Sequence, residues 1–565
     1  MECETDVLVI GAGGAGCQAA VTAADAGARV ILIDKGRLGL SGSTFDPFTR
    51  DKGITVAVEG FGPTADPEVH FQQAMEAARG IADPKLVRAV AYDGPRRFRE
   101  CLKLGLAFKA NRLEACFGSA LVGAFVYQSE LAAFFRRQVE ARPITLLERT
   151  MALTLLMSGG RCSGAVVVTR TGEVVALRAR AVILATGGIS TIFRYHFSTP
   201  LLTGDGHAMA LRAGAQLANI EFYQAILGTT EPVRVFLPQW YLAGSPLFYN
   251  AQGCQFLADY LPAGMDPVQL VHARSRHGPF TSSLPTRWFD LAIDAEIKAG
   301  RGTALPDDNR RLAGIYCDLA AVPKEAREAL DLRAGRPALT WLKARGVDLE
   351  GGPVPIAPFA HAFNGGIVID EHGRTAVPGL YACGEVAAGP HGANRVGGHM
   401  LAVLLVMGAR AGRHAAVWAA EAPAPDHDAE ELNLEERRVQ ALCTAAGAVR
   451  PVQFRRAVQL AMAPVMIAKD EAALMVAEQK LEVLEGDLDV YMGLRSPADL
   501  FEALGVMNLV LMAKLVARAA RLRRESRGAH YRIDYPEEGG KAYEQRLIWQ
   551  LEDGQCVPSW EKKMV

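Results

Sequence analysis

The hydrophobic pattern at the N-terminus reads as strand, helix, strand. Asp6 to Ile10 is a short apolar run, the pattern of a parallel strand buried on both faces. An alanine-rich helix follows to about Ala26, ended by Gly27 as its C′ residue. Arg29 to Ile33 forms a second strand with Asp34 at its end. Thr145 to Arg180 reads as several strands around polar turns such as Ser158-Gly159-Gly160-Arg161, and the stretch from Arg178 to Leu184 runs apolar into Ala185-Thr186-Gly187-Gly188. Near the C-terminus Leu504, Met507, Leu511 and Leu515 recur at helical spacing, with Lys514, Arg518 and Arg521 on another face. The predicted class is α/β.

Size and composition narrow this further. At 565 residues the chain is too long for one core and should form about two to four domains. Half the residues are hydrophobic and the formal net charge is −1, which gives no electrostatic reason to expect nucleic acid or an anionic membrane surface. The ten cysteines are scattered and no Cys-x-x-Cys occurs, so no metal or iron–sulfur ligation is expected within this chain. Unclustered cysteines, no signal-peptide pattern before Asp6 and no uncharged apolar run of about 18 residues predict a cytoplasmic protein without a transmembrane segment.

Chemistry enters at the turn after the first strand. Gly11, Gly13 and Gly16 stand at G-x-G-x-x-G spacing, with Gly14 between them. The first permits a tight turn, the second lets the backbone approach a pyrophosphate, and the third allows close helix–strand packing. The helix N-terminus supplies donors and positive dipole to the phosphates, and Asp34 accepts from ribose hydroxyls. This unit alone does not separate NAD from FAD.

A second segment, Gly389-Pro390-His391-Gly392-Ala393-Asn394-Arg395-Val396-Gly397-Gly398, meets the first almost 380 residues later. Between and after them stand Thr203-Gly204-Asp205-Gly206-His207, His361-Ala362-Phe363-Asn364-Gly365-Gly366-Ile367, Gly379 to Glu385, and Glu525-Ser526-Arg527-Gly528-Ala529-His530-Tyr531-Arg532-Ile533-Asp534-Tyr535-Pro536. In that order these motifs resemble the flavoprotein subunit of succinate dehydrogenase and fumarate reductase, a superfamily that includes L-aspartate oxidase. The resemblance covers residues 5 to about 537. It implies a two-dinucleotide-binding FAD domain in two pieces (1–222 and 353–420), an inserted α+β capping domain (223–352), and a C-terminal helical domain (421–535). The linker Glu421-Ala422-Pro423-Ala424-Pro425 opens the helical domain, and the polar tail 536–565 receives no role.

The resemblance also implies site residues. FAD contacts fall on Gly11, Gly13, Gly14, Gly16, Asp34, Lys35, Ser43, Thr44, Ala185, Thr186, Gly187, Asp205, Gly384, Glu385, Asn394, Arg395, Gly398, Met400 and Leu401. Many relatives attach FAD through a histidine in an Arg-Ser-His-Thr string. Here the string is Ser41-Gly42-Ser43-Thr44, and a serine cannot make that bond, so the FAD is expected to be non-covalent. Without an electron-withdrawing attachment the flavin potential should drop, favouring reduction of an acceptor.

For catalysis, His361 and Arg395 carry over as carboxylate-binding residues; the alternatives are a core histidine and a structural arginine. The family's Gln-Phe-His-Pro-Thr string is replaced, with Ile226 and Gly228 at the histidine and threonine places. The cap arginine aligns with Thr286; Arg287 takes its role only if the turn shifts by one residue, and is otherwise structural. The Gly-His-Ser loop expected near 117–125 is missing. The leading expectation is therefore an FAD-dependent oxidoreductase of fumarate reductase type that moves hydride at a carboxylate- or carbonyl-activated C–C or C–N bond, with fumarate itself not the substrate. The alternatives are an electron-transfer subunit with iron–sulfur partner chains and an FAD-containing scaffold.

Overall fold

The computed structural model describes residues 3–61, 64–110, 122–237, 239–303, 312–328, 336–425 and 429–561. Strand β1 (Cys3–Ile10) lies between β2 (Val30–Asp34) and the strand Val174–Leu184, parallel to both. The strand Ile144–Glu148 extends the sheet beyond β2, also in parallel. The strands Thr150–Ser158 and Arg161–Thr169 run antiparallel and join it through Val174–Leu184. The end of Val174–Leu184 also pairs in parallel with Leu380–Ala382, from the second half of the chain. The turn-punctuated 145–180 stretch is thus a β-meander fused to a parallel sheet.

Helix α1 (Gly14–Asp25) follows β1, and Gly27 leaves it in the left-handed region at φ +91°, in the C′ role. Packing around α1 requires glycine on both sides. A Cβ on Gly16 would stand 1.8 Å from the Gly11 carbonyl oxygen, so the helix touches the turn that precedes it. The long helix His399–Glu421 crosses α1 through Gly408 and Gly412, whose added Cβ atoms would lie 2.7 and 2.2 Å from the carbonyl oxygens of Ala15 and Ala19. Gly412→Ala is therefore expected to lower stability by about 1–3 kcal/mol, although alanine favours helix, because backbone cannot retreat as a side chain can. Chemical denaturation of the two proteins checks this; a more stable variant would show that the helices can separate.

Residues 223–363 contribute a second sheet. It runs Tyr223–Thr229, Val354–Phe363, Ile315–Asp318 and Leu247–Tyr249, antiparallel throughout. Its core holds Leu227, Trp240, Phe248, Phe289 and Ile356, and a fully buried Arg274–Asp290 pair at 2.7 Å ties two of its helices together.

Four helices follow: Ala429–Thr444, Pro451–Met462, Glu471–Tyr491 and Asp499–Leu522. The helix Asp499–Leu522 is buried on most of its circumference, centred on Val506, Leu509, Val510 and Ala513, while Met507 and Leu511 sit at the margin of the buried face. The single apolar stripe expected here is too narrow, because this helix is wedged between its neighbours and the first domain. With His399–Glu421 it is long and apolar enough to cross a membrane by length and composition, although charged residues interrupt both helices; 72% of each window is buried inside the protein, as in core helices.

The 525–536 string that follows is a network of buried ion pairs. Arg523 reaches Glu221 at 2.7 Å and Glu525 at 2.9 Å with all three side chains buried, and Arg527 also pairs with Glu525. The polar 536–565 stretch, which suggested no element, contains a hairpin of Arg546–Glu552 and Gln555–Glu561. Its Leu547, Ile548 and Trp549 are buried where the first strand pairs with Leu217–Ala218.

Candidate flavin and substrate site

One cavity of about 450 Å³ opens where β1, β2 and Val174–Leu184 end, the crevice where open α/β sheets bind ligands. Its wall brings together most of the residues expected from sequence: Gly11, Gly13, Gly14, Asp34, Lys35, Ser43, Thr44, Ala185, Thr186, Gly187, Asp205, His361, Gly384, Glu385, Arg395, Gly398, Met400 and Leu401. Three do not reach it. Gly16 stands behind the turn as a packing contact. Asn394 stands behind the loop, where its Oδ1 accepts from the Arg395 amide at 2.9 Å and from Gln224 Nε2, while its Nδ2 donates to the Phe280 carbonyl. Arg287 points elsewhere. Its guanidinium donates to the Ser282 carbonyl at 2.9 Å and lies 3.9 Å from Glu537. Thr286 bonds His277 Nε2 at 2.6 Å and so braces the turn whose Gly278 and Pro279 line the cavity. The missing Gly-His-Ser loop lies largely outside the described residues.

The dinucleotide end fits FAD. A Cβ on Gly13 would meet no protein atom within 4 Å, so the cavity is open where a pyrophosphate needs to approach the helix N-terminus. Asp34 is fixed by donors from the Ala12 amide (2.7 Å), the Gly36 amide (2.7 Å) and Ser41 Oγ (2.6 Å), with its carboxylate still facing the cavity. Burial raises its pKa against those three donors. Lys35 bonds Thr203 and Asp205, and Asn508 of the helical bundle also donates to Asp205. Glu385 accepts from the Phe363 amide at 3.0 Å; burial raises its pKa, opposed by that amide and by the charge of Arg395.

The other end is cationic at one point and apolar around it. Arg395 is partly buried and lines the cavity; its Nη1 donates to the Val396 carbonyl at 3.3 Å, and among the described residues no carboxylate comes within ion-pair distance. Burial pushes its pKa down to about 10, with Glu385 pulling the other way. Burial, then the charges of Arg395 and Lys52, hold His361 well below the usual histidine range, so its imidazole is neutral. Sequence reasoning missed much of this wall. Gln224 donates to the Arg395 carbonyl at 3.1 Å and anchors the loop. Lys52 lines the cavity but is paired with Asp46. Phe197, Phe236, Trp240 and Trp341 join Ile226 in lining it. Only contacts across the fold place these aromatics here, and no local motif marks them.

A dinucleotide crevice continuous with a cavity that holds an arginine without a carboxylate partner among the described residues suits a flavin oxidoreductase. Comparison with known proteins agrees. The family described as FAD binding domain matches residues 6–401 and that described as Fumarate reductase flavoprotein C-term matches residues 455–565. The chain is 34% identical to a fumarate reductase (CoM/CoB) subunit from Methanothermobacter marburgensis, covering 94% of this chain and 95% of that one. It is 30% identical to L-aspartate oxidase of Streptomyces coelicolor over 97% and 91% of the two chains. Among solved structures, Mycobacterium smegmatis Sdh1 superposes with a TM-score of 0.85 at 27% identity, covering 100% of this chain and 95% of that chain. The E. coli quinol fumarate reductase shares the fold, with a TM-score of 0.83 at 24% identity, covering 100% and 97%. The chain belongs to the fumarate reductase, succinate dehydrogenase and L-aspartate oxidase family of flavoproteins, and is an FAD-dependent oxidoreductase.

Proposed function

We propose that the protein moves hydride between non-covalently bound FAD and a carbon next to a carboxylate or carbonyl group, and that fumarate is not its substrate. The observation that carries this reading is Arg395, a partly buried guanidinium on the cavity wall without a carboxylate partner among the described residues, beside a neutral His361 at the flavin crevice. When bound, FAD supplies the hydride chemistry. The planar fork of Arg395 grips a carboxylate and holds the adjacent carbon in place. Neutral His361 contributes a hydrogen bond without charge. Glu385 and Asp34 present oxygens to hydroxyl groups of the cofactor, and Gln224 with Asn394 fix the backbone of the Arg395 loop. Ile226 and Gly228 supply no donor for a second carboxylate, so a buried dicarboxylate would leave one charge unpaired.

The test is anaerobic reduction of the flavin followed by a screen of fumarate, enoate and enoyl-thioester acceptors for reoxidation. Failure of every carboxylate and thioester would remove the reading. The same apolar substitutions favour a second reading, in which the chain relays electrons to an iron–sulfur partner; among the described residues no cluster of His, Cys, Asp and Glu holds a metal, so any such cluster belongs to another chain. Co-purification of iron with the native protein separates the two.

Ser43 on the cavity wall supports the non-covalent attachment. Acid precipitation is expected to leave all yellow colour in the supernatant; flavin retained in the pellet would overturn it.

A further inference from the structure

The wall beside His361 is built around an interlock between Gly228 and Phe197. A Cβ at position 228 would lie 2.2 Å from Phe197 Cζ and 2.8 Å from the Val235 carbonyl oxygen. The ring therefore occupies the volume that a side chain at 228 would fill. Phe197 is held from several sides, stacked on Phe359 at 4.6 Å and 22° and packed near Phe48 at 5.9 Å and Phe236 at 6.3 Å. Phe236 in turn stacks on His361 at 6.3 Å and 28°. The rings of Phe236 and Phe197 meet edge to face at 76°, so an apolar aromatic corner starts beside the neutral imidazole.

Among the described residues, the other cations of the cavity wall have partners, Lys35 in Asp205 and Lys109 in the Tyr127 ring, 3.1 Å from its ammonium. Lys52 pairs with Asp46 and Arg50 with Asp51. Arg234 stacks on Phe48 at 4.4 Å and does not line the cavity.

From this arrangement we infer that the substrate is an α,β-unsaturated monocarboxylate carrying a flat apolar substituent on its β carbon, with Gly228 and Phe197 as the specificity-determining pair. The inference rests on the hydride-transfer reading and adds the substrate class. The single carboxylate lies on Arg395, and the substituent enters the corner between the face of one ring and the edge of the other at Phe236 and Phe197. In the reductive direction the C=C π bond is lost, a hydride from the reduced flavin forms the Cβ–H bond, and a proton taken from solvent forms the Cα–H bond. The flavin returns oxidised and nothing leaves. Aromatic contact favours a flat group over a carboxylate, which would lose its hydration against the rings without gaining a partner.

The test uses the FAD-loaded protein and four probes: cinnamate, hydrocinnamate, crotonate and fumarate. Titration of the oxidised protein, read from the flavin absorption spectrum, should give cinnamate and hydrocinnamate affinities at least about 30-fold tighter than fumarate. Dithionite-reduced protein should be reoxidised by cinnamate with kcat/KM at least about 100-fold above fumarate. The double variant Phe197→Ser with Gly228→Thr rebuilds a polar wall and should narrow that preference at least about 10-fold. If it fails to fold, Phe197→Leu keeps an apolar side chain there and should lower the cinnamate-to-crotonate preference about 10-fold. Fumarate binding as tightly as cinnamate, or a preference unmoved by these variants, would overturn the substrate class while hydride transfer stood. If no probe perturbs the spectrum or reoxidises the flavin, the hydride-transfer reading falls with it.

Discussion

Arg395→Leu is expected to lower kcat/KM for any carboxylate acceptor by about 10²–10³-fold while the protein still binds FAD. The reasoning follows from the position of the guanidinium. It is partly buried on the cavity wall, it has no carboxylate partner among the described residues, and desolvation already lowers its pKa to about 10. Such a group releases its desolvation cost only when an anion arrives, and truncating one member of a buried charged pair costs about 2–5 kcal/mol. Arg395→Lys should recover part of the loss by restoring charge without the bidentate fork. The pH profile gives a second reading. Carboxylate affinity should hold steady through the neutral range and fall as pH rises through about 10, where the unliganded guanidinium loses its proton. It should show no step near pH 6.5, because His361 is already neutral there. Unchanged turnover in the leucine variant, measured with matched flavin content, would remove Arg395 from the mechanism.

The second large effect is acid lability. His70, His391 and His399 are each at most 2% exposed and stack edge to face, with ring centroids 5.1 and 5.2 Å apart. Neither nitrogen of His70 has a partner among the described residues. Burial lowers the pKa of His70 to about 4 and that of His391 to about 3, and holds His399 well below the usual range. Unfolded, each imidazole titrates near 6.5. Above that pH both states are neutral and stability is fully present. As pH falls below 6.5 the unfolded chain takes protons that the folded one refuses, so stability is lost towards the folded values. The limiting slope is about 1.4 kcal/mol per pH unit for each imidazole, or about 4 kcal/mol per unit for the three. Thermal melting should therefore fall steeply between pH 6.5 and 4.5, and His70→Leu should flatten the slope by one proton. A Tm independent of pH over that range would contradict the assignment.

Legibility in the sequence followed locality. The β1–α1–β2 unit and its glycines could be read because strand, turn, helix and terminal acid lie within 34 residues and each has a local cause. Arg395 and His361 were readable because each sits in a motif string. The aromatic wall was not, since Phe197, Phe236 and Trp240 carry no local signal and come together only when the second sheet folds over the crevice. The hairpin of 546–561 was hidden by its composition: Leu547, Ile548 and Trp549 are buried, but polar neighbours surround them. Arg287 illustrates the opposite error, in which sequence distance stands for spatial proximity. A one-residue shift puts it in register on paper, yet its side chain faces Ser282 and Glu537.

The strand Val354–Phe363 has a geometric consequence. It is paired on both sides in the second sheet, carries His361 near its end, and finishes at Phe363, whose amide grips Glu385. The ladder skips His361, with Gln224 facing Ala362 and Ala225 facing Ala360, so a bulge re-aims that imidazole onto the cavity wall. Removing that extra residue would restore strict alternation and turn the side chains beyond it to the opposite face of the sheet.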